Sequence, residues 1–267
     1  MAVCEAARNV SCAGARPAGV TDCLNFGSPE RPEILWQLAE AVEGIAEACR
    51  ALELPVVGGN VSLYNETSGR AILPTPIVGV VGVLEDASRL ATQWFRGAGH
   101  RIALLGPDEV SLGGSEYLWV FHGTVAGMLA PLDLSVERRV QAAVQAAIGA
   151  GLALSAHDCS EGGVAVALAE ACMTGPELIG ATVSLSTEGR TDLALFGEGP
   201  SRVVVSVDPA RALEFEALMA ESAIPWRWIG ATGGERLRVR RGATTVVDAD
   251  LRGLQHAWRR GFERHVA

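Results

Sequence analysis

Lysine is absent: all 22 basic residues of the chain are arginine. That excludes a Walker A lysine, a Schiff-base nucleophile and a lysine general base. A nucleotide held by these residues must rely on backbone amides, arginine, metal and polar side chains. No CxxC spacing occurs among Cys4, Cys12, Cys23, Cys49, Cys159 and Cys172, which sit mostly in apolar stretches. They read as reduced, buried small residues and not as a zinc cluster or a disulfide frame. No apolar run reaches membrane-spanning length, and the N-terminus lacks the basic-then-apolar order of a signal peptide. A surplus of positive charge is missing as well: the formal net charge is -9. That balance argues against a nucleic acid or a membrane surface held by bulk charge. Internal repeats, low-complexity tracts and long linkers are also missing, and the expectation is a soluble cytoplasmic protein.

What is present suffices for two domains, since 267 residues at 49% apolar content can bury a proper core. Apolar residues Ile34, Leu35, Leu38, Val42, Ile45, Cys49 and Leu52 recur at helical spacing, which predicts a long helix from Pro32 to Leu52 stopped by Pro55. The β-branched run 77–84 predicts a buried strand. The pattern lapses around 93–101, where we expect a domain boundary, giving units 1–96 and 97–267. In the second unit the sequence predicts a strand over 102–105, a helix from a Ser135 cap to about 148, a strand over 152–156 and a helix over 164–173. A strand over 202–207, a helix opened by Pro209 and a helical tail over 251–264 follow. The architecture is a mixed α/β or α+β layer structure. The Arg238, Arg240, Arg241 cluster reads as a solvated hairpin edge.

Two polar segments carry the chemistry. Residues 58–66, Gly-Gly-Asn-Val-Ser-Leu-Tyr-Asn-Glu, follow the apolar run 54–57 and read as a turn. Consecutive glycines can take positive φ and bring amides to an anion, while Asn60 offers an oxygen to a hard cation bridging phosphates. The segment 20–30 is also polar and glycine-containing at the end of a predicted strand. A third loop in 155–164 carries Gly162 and Gly163 ahead of a helix and suits a phosphate contact. Its His157, Asp158 and Cys159 are not read as a catalytic set: neighbours on a strand point to opposite faces, and no third orienting group can be named. Gly197 and Gly199 mark a further glycine-rich loop. His100, His122, His256 and His265 read as surface or packing residues.

The ordered blocks VTDCLNFGSPERPE, VVGGNVSLYNET, PTPIVGVVG, SAHDCSEGGVAVALAEA and LFGEGPSR closely resemble the C-terminal half of the phosphoribosylformylglycinamidine synthase family, over essentially the whole chain. The resemblance implies an aminoimidazole ribonucleotide synthetase-like two-domain unit, its N-terminal domain incomplete and its C-terminal domain a mixed sheet with flanking helices. It implies an ATP-dependent ligase of purine biosynthesis that converts formylglycinamide ribonucleotide to the amidine with glutamine-derived ammonia. Carried over residue by residue, it puts Asp22 and Gly59 on ATP, Asn60 on Mg2+ and Ser62 on the ribonucleotide, with no catalytic residue in this chain. The implied partners are the missing N-terminal synthase half, a glutaminase subunit and a small accessory subunit, with self-association of the isolated chain. The chain is thus expected to be a fragment, inactive alone, because the family's catalytic histidine motif and ATP-contacting lysine lie in the other half. Two alternatives stay open: a non-catalytic nucleotide-binding structural module, and a sibling ATP-dependent enzyme of the same superfamily.

Overall fold

The computed structural model describes residues 1–261 and Glu263. The elements begin with α1 (Ala2–Cys12), β1 (Arg16–Asn25), α2 (Pro32–Leu52), β2 (Val56–Ser62), the short pair β3 (Glu66–Thr67) and β4 (Arg70–Ala71), and β5 (Thr75–Val83). There follow β6 (Arg101–Leu105), α3 (Glu116–His122), α4 (Leu134–Gly149), β7 (Ala153–Asp158), α5 (Gly163–Met173), β8 (Ala181–Leu185) and α6 (Thr191–Phe196). The chain continues through β9 (Val203–Val207), α7 (Ala212–Ser222), β10 (Trp226–Thr232), β11 (Arg236–Arg241), β12 (Thr244–Asp250) and α8 (Leu251–Arg259).

Two sheets organise these elements. The first has the order β2-β1-β5, with β1 parallel to β2 and antiparallel to β5. The second runs β12-β11-β8-β10-β6-β9-β7 and is mixed, because β11 and β8 are parallel while the other neighbours are antiparallel. Period-two alternation makes this large sheet the centre of two cores. Ile102 and Leu104 of β6 join a cluster with α5 and α8, whereas Ala103 and Leu105 join one with α4 and α7. A third cluster packs α1 and α2 against Val20, Val78 and Val80 of the small sheet. The mixed α/β reading therefore holds.

Local chemistry explains the element ends. Pro32 opens α2 at its first turn, and Glu53, at φ 56°, closes it in the left-handed region. Of its expected stripe, Ile34 and Cys49 are buried, while Leu35 and Val42 stay exposed. The cap of α4 differs from expectation: Asp133 accepts from the Ser135 and Val136 amides at 2.8 and 3.1 Å, and the Ser135 hydroxyl donates to the same carboxylate. A charged acceptor two residues earlier wins over the neutral hydroxyl. Pro209 begins a 3₁₀ turn ahead of α7. The Arg238, Arg240, Arg241 strand does form a hairpin with β12, but it is not an edge, since β8 pairs its other side. The predicted tail helix is seen to Arg259; Arg264 and His265 lie outside the described residues.

A buried clasp fixes α1 to the large domain. Arg8 and Glu137, 3% and 0% exposed, meet with Arg8 Nη1 at 2.9 Å from both carboxylate oxygens. Gln141 and Ser201 donate to the same carboxylate, and Gln141 also donates to the Cys4 carbonyl at 3.2 Å. One acid thereby joins α1, α4 and the strand entering β9. Removing one partner of such a pair strands the other charge in the interior. Glu137→Ala is expected to lower the urea-unfolding free energy by about 3–5 kcal/mol; a loss below about 1 kcal/mol would show that the clasp is not structural.

Candidate functional site

The parallel β1–β2 ladder sets Asp22 opposite Gly59, Cys23 opposite Asn60 and Asn25 opposite Ser62. Pairing and alternation divide the four sequence-predicted site residues: Asp22 and Gly59 share the face of Val78, while Asn60 and Ser62 share the opposite, exposed face of Ile77. The local conformation departs from the expected bend. Gly58 and Gly59 are extended residues inside β2, and neither has a positive φ. The need for glycine at 59 is close approach: a Cβ there would sit 2.8 Å from the Asp22 carbonyl oxygen and 2.8 Å from its Oδ1. Ladder pairing supplies what a turn was expected to supply.

The turn comes later, at Tyr64, whose φ is 59°. Its amide and that of Asn65 donate to the carbonyls of Gly27 and Phe26, so segments 20–30 and 58–66 are joined. The Asn65 side chain tightens this by donating to the carbonyls of Phe26 and Ser62 at 3.1 and 2.8 Å. Ser62 is half-buried, its hydroxyl within 3.2 Å of the Asn65 amide nitrogen. Asn60 is exposed, and its side chain makes no hydrogen bond among the described residues. Its amide oxygen is free to serve a hard cation. Among the described residues no group of three His, Cys, Asp or Glu side chains could hold a metal alone. A cation at Asn60 would therefore take its remaining oxygens from phosphate, water or other polypeptide.

The two other glycine-rich loops meet each other. Gly163 approaches so closely that a Cβ would lie 2.6 Å from the Gly197 carbonyl oxygen. Here positive φ does occur, 75° at Gly162 and 64° at Gly163. The expected phosphate-facing amide is taken: Glu198 Oε1 accepts from Gly162 N at 2.9 Å and from Glu116 N at 2.9 Å. A cavity of about 130 Å³ lies beside this junction, lined in part by Met1, Glu5, Arg8, Glu161 and Glu198.

His157 and Asp158 do not diverge fully as strand alternation predicts, since His157 Nδ1 lies 3.7 Å from Asp158 Oδ1. The His157 ring reaches Glu170 Oε2 through Nε2 at 3.0 Å, and Asp158 lies toward Arg8 at 3.8 Å. His157 Nδ1 is 2.7 Å from the Asp158 carbonyl oxygen. Cys159 is buried, and burial pushes its thiol up to about 11, which leaves it unreactive at neutral pH. Sequence reading missed Arg8, Glu137 and the bridging role of Glu198. None of them stands in a periodic or motif context that signals a partner far along the chain.

Together these features define an α/β unit, its large sheet covered by helices on both faces, with glycine-dependent close approaches at both of its candidate loci. The chain belongs to the AIR synthase related protein family: residues 1–84 match the family model of the N-terminal domain and 97–241 that of the C-terminal domain. It is 52% identical over 265 residues to the phosphoribosylformylglycinamidine synthase subunit PurL of Thermomicrobium roseum, covering 98% of this chain and 35% of that one. The PurL of Anaeromyxobacter dehalogenans strain 2CP-C is 49% identical, with 98% and 35% covered. The chain thus spans about a third of the length of these curated relatives. Among solved structures, Thermotoga maritima PurL complexed with FGAR aligns with a TM-score of 0.73 at 20% identity, covering 95% of this chain and 42% of that one. The hydrogenase maturation protein HypE in complex with ATP gives 0.66 at 14%, covering 93% and 78%. These likenesses show the fold.

The His157 environment yields a pH test. Burial works against the imidazolium, but hydrogen bonds to Asp158 and Glu170 outweigh it and raise the pKa from 6.5 to about 9. The hydrogen bond from His157 in turn lowers that of Glu170. Stability from this pair is fully present below pH 6.5 and is lost as the pH rises through about 9. Glu170→Gln is expected to flatten the fall in unfolding free energy between these values and to lower the His157 pKa measured by NMR; an unchanged His157 titration would contradict the pairing.

Proposed function

We propose that the chain supplies the C-terminal portion of a phosphoribosylformylglycinamidine synthase, as units 1–96 and 97–267, acting in the cytoplasm. The observation that carries this is identity of 52% to a named synthase subunit across 98% of the chain. No described helix is long and apolar enough to cross a membrane, and the six cysteines are free. In this proposal the β1–β2 margin is one wall of the synthase site. Asp22 and Gly59 face ATP, Asn60 provides an oxygen to Mg2+, and Ser62 offers its hydroxyl to formylglycinamide ribonucleotide. The other wall comes from the remaining synthase polypeptide, with glutaminase and small accessory subunits delivering ammonia.

The reaction has two displacements. The formyl amide oxygen attacks the γ-phosphorus of ATP and ADP departs; ammonia then attacks the activated carbon and inorganic phosphate departs, leaving the amidine. Bound Mg2+ would offset charge on the transferring phosphoryl group. The chain's own part is placement. The Gly59–Asp22 contact leaves backbone and carboxylate without an intervening side chain, so a nucleotide can lie against both. Asn60 offers a neutral oxygen on the opposite face of β2, and Asn65 holds Ser62 two residues further along on that same face.

Combining the chain with the remaining synthase polypeptide, Mg-ATP, formylglycinamide ribonucleotide and ammonia should restore amidine formation. Asn60→Ala in the same mixture is expected to reduce turnover by more than roughly tenfold, the scale found even for groups that merely orient metal ligands. Undiminished turnover would reject the assignment of Asn60, and no amidine from the wild-type mixture would reject the synthase reading itself.

The small sheet supports a docking role in the same proposal. Along β5, Val78 and Val80 pack inward while Ile77, Val81 and Val83 are exposed, and β2 adds exposed Val57, which lies against Gly19 beside Val81. An apolar sheet face of this kind is an association surface. The isolated chain is expected to self-associate in sedimentation velocity, and addition of the remaining synthase polypeptide should compete with that; a monomer at all concentrations would contradict the docking role.

A further inference from the structure

Arg202 stands at the entry to β9 and is 4% exposed. Its Nε is fully enclosed without a hydrogen-bond partner, and among the described residues its guanidinium makes no ion pair. Arg8, equally buried, also has an unpartnered Nε, but its charge is met by Glu137. A buried cation lacking an anion is destabilising, so the surroundings of Arg202 call for a counter-charge.

Those surroundings form a cavity of about 170 Å³ between the ends of β6, β8 and β10 and the helix α6. Arg190 and Arg227 stand with Arg202 in its lining, each already engaged with an acid. Arg190 holds Asp192 through Nε at 3.0 Å, which keeps that carboxyl down at about 2, and Arg227 pairs with Asp108. Two acids, Asp108 and Glu188, also line the cavity; Glu188 is exposed and pairs with none of the three arginines. The backbone of the loop preceding α6 is engaged by Arg241 and gives Arg202 no hydrogen bond: Arg241 Nε reaches the Ser186 carbonyl at 2.7 Å and Nη2 reaches those of Glu188 and Gly189 at 2.6 and 3.0 Å. The unsatisfied charge is therefore that of Arg202.

We propose that this cavity binds a small phosphate-class oxyanion, held by the Arg202 guanidinium with Arg190 and Arg227 beside it. The planar fork of a guanidinium matches two oxygens of a phosphoryl group. The volume is well below the roughly 300 Å³ at which sites for larger ligands begin, which selects inorganic phosphate or one phosphoryl group over an intact nucleotide. The site is separate from the β1–β2 margin and stands on its own geometry, whatever the activity of the whole synthase.

Inorganic phosphate is the probe, added to the full chain purified without phosphate or sulfate and compared with chloride at equal ionic strength. Calorimetry should show saturable binding, and a hundredfold excess over Kd should raise Tm by roughly 5 °C. Arg202→Met is expected to abolish both effects while raising Tm in phosphate-free buffer, because the uncompensated cation is gone. Should that variant fail to fold, Arg227→Gln at the cavity wall should still weaken phosphate by severalfold and leave the phosphate-free Tm in place. Asn60→Ala should bind phosphate as the wild type does, which separates this site from the nucleotide wall. Binding no greater than with chloride, or binding undiminished in Arg202→Met, would overturn the proposal, as would undiminished binding in Arg227→Gln where Arg202→Met does not fold.

Discussion

The contact between Arg8 and Glu137 is the constraint on which the rest of the molecule depends. α1 has the small sheet on one side and α4 on the other, and its own apolar residues serve both cores: Val3, Cys4 and Ala7 join the small-sheet cluster, Cys12 the large one. Apolar packing alone is non-directional and would tolerate some sliding of this helix. Two charge-assisted bonds at 2.9 Å in a water-free setting do not. β1 leaves α1 after a three-residue turn, so fixing the helix fixes the strand, and through the ladder it fixes β2 and the Asp22–Gly59 approach.

That chain of positioning gives the candidate site its character. The β1–β2 margin is rigid in its backbone and open in front: Asn60 is exposed, Ser62 is tethered by Asn65, and Gly59 presents no side chain. In the proposed reading such an arrangement would hold part of a ligand shell and leave room for the rest. The absence of lysine fits the same division, since no point charge in these residues competes for a phosphate. The apolar outer face of the small sheet lies around this margin, so docking of further polypeptide and completion of the site would be one event.

Much of the fold was legible in the residues. The spacing from Ile34 to Leu52, with Pro32 before and Pro55 after, marks α2 at both ends, and the apolar runs at 77–84, 102–105 and 202–207 mark strands of both sheets. The failures have physical causes. Two adjacent glycines signal a turn because they permit positive φ, yet in β2 the same absence of a side chain is used to admit Asp22. Asp133 outcompetes Ser135 as a cap because its charge is stronger, a difference of degree between two good cap residues. Pairs such as Arg8 with Glu137, or the orphaned Arg202, depend on separations of more than a hundred residues or on what is missing nearby, and neither leaves a local pattern. The four candidate site residues come from family blocks alone, and their placement on the β1–β2 ladder could not be read from the residues.

The central claim is that β2 carries one wall of a magnesium–nucleotide site completed by other polypeptide. The most direct measurement is a structure of the chain reassembled with the remaining synthase polypeptide and bound to Mg2+ and a non-hydrolysable ATP analogue. The account requires the Asn60 amide oxygen at about 2.0–2.1 Å from the metal, with Gly59 and Asp22 against the nucleotide. A nucleotide and metal bound in that assembly away from β2, with Asn60 facing solvent, would contradict it.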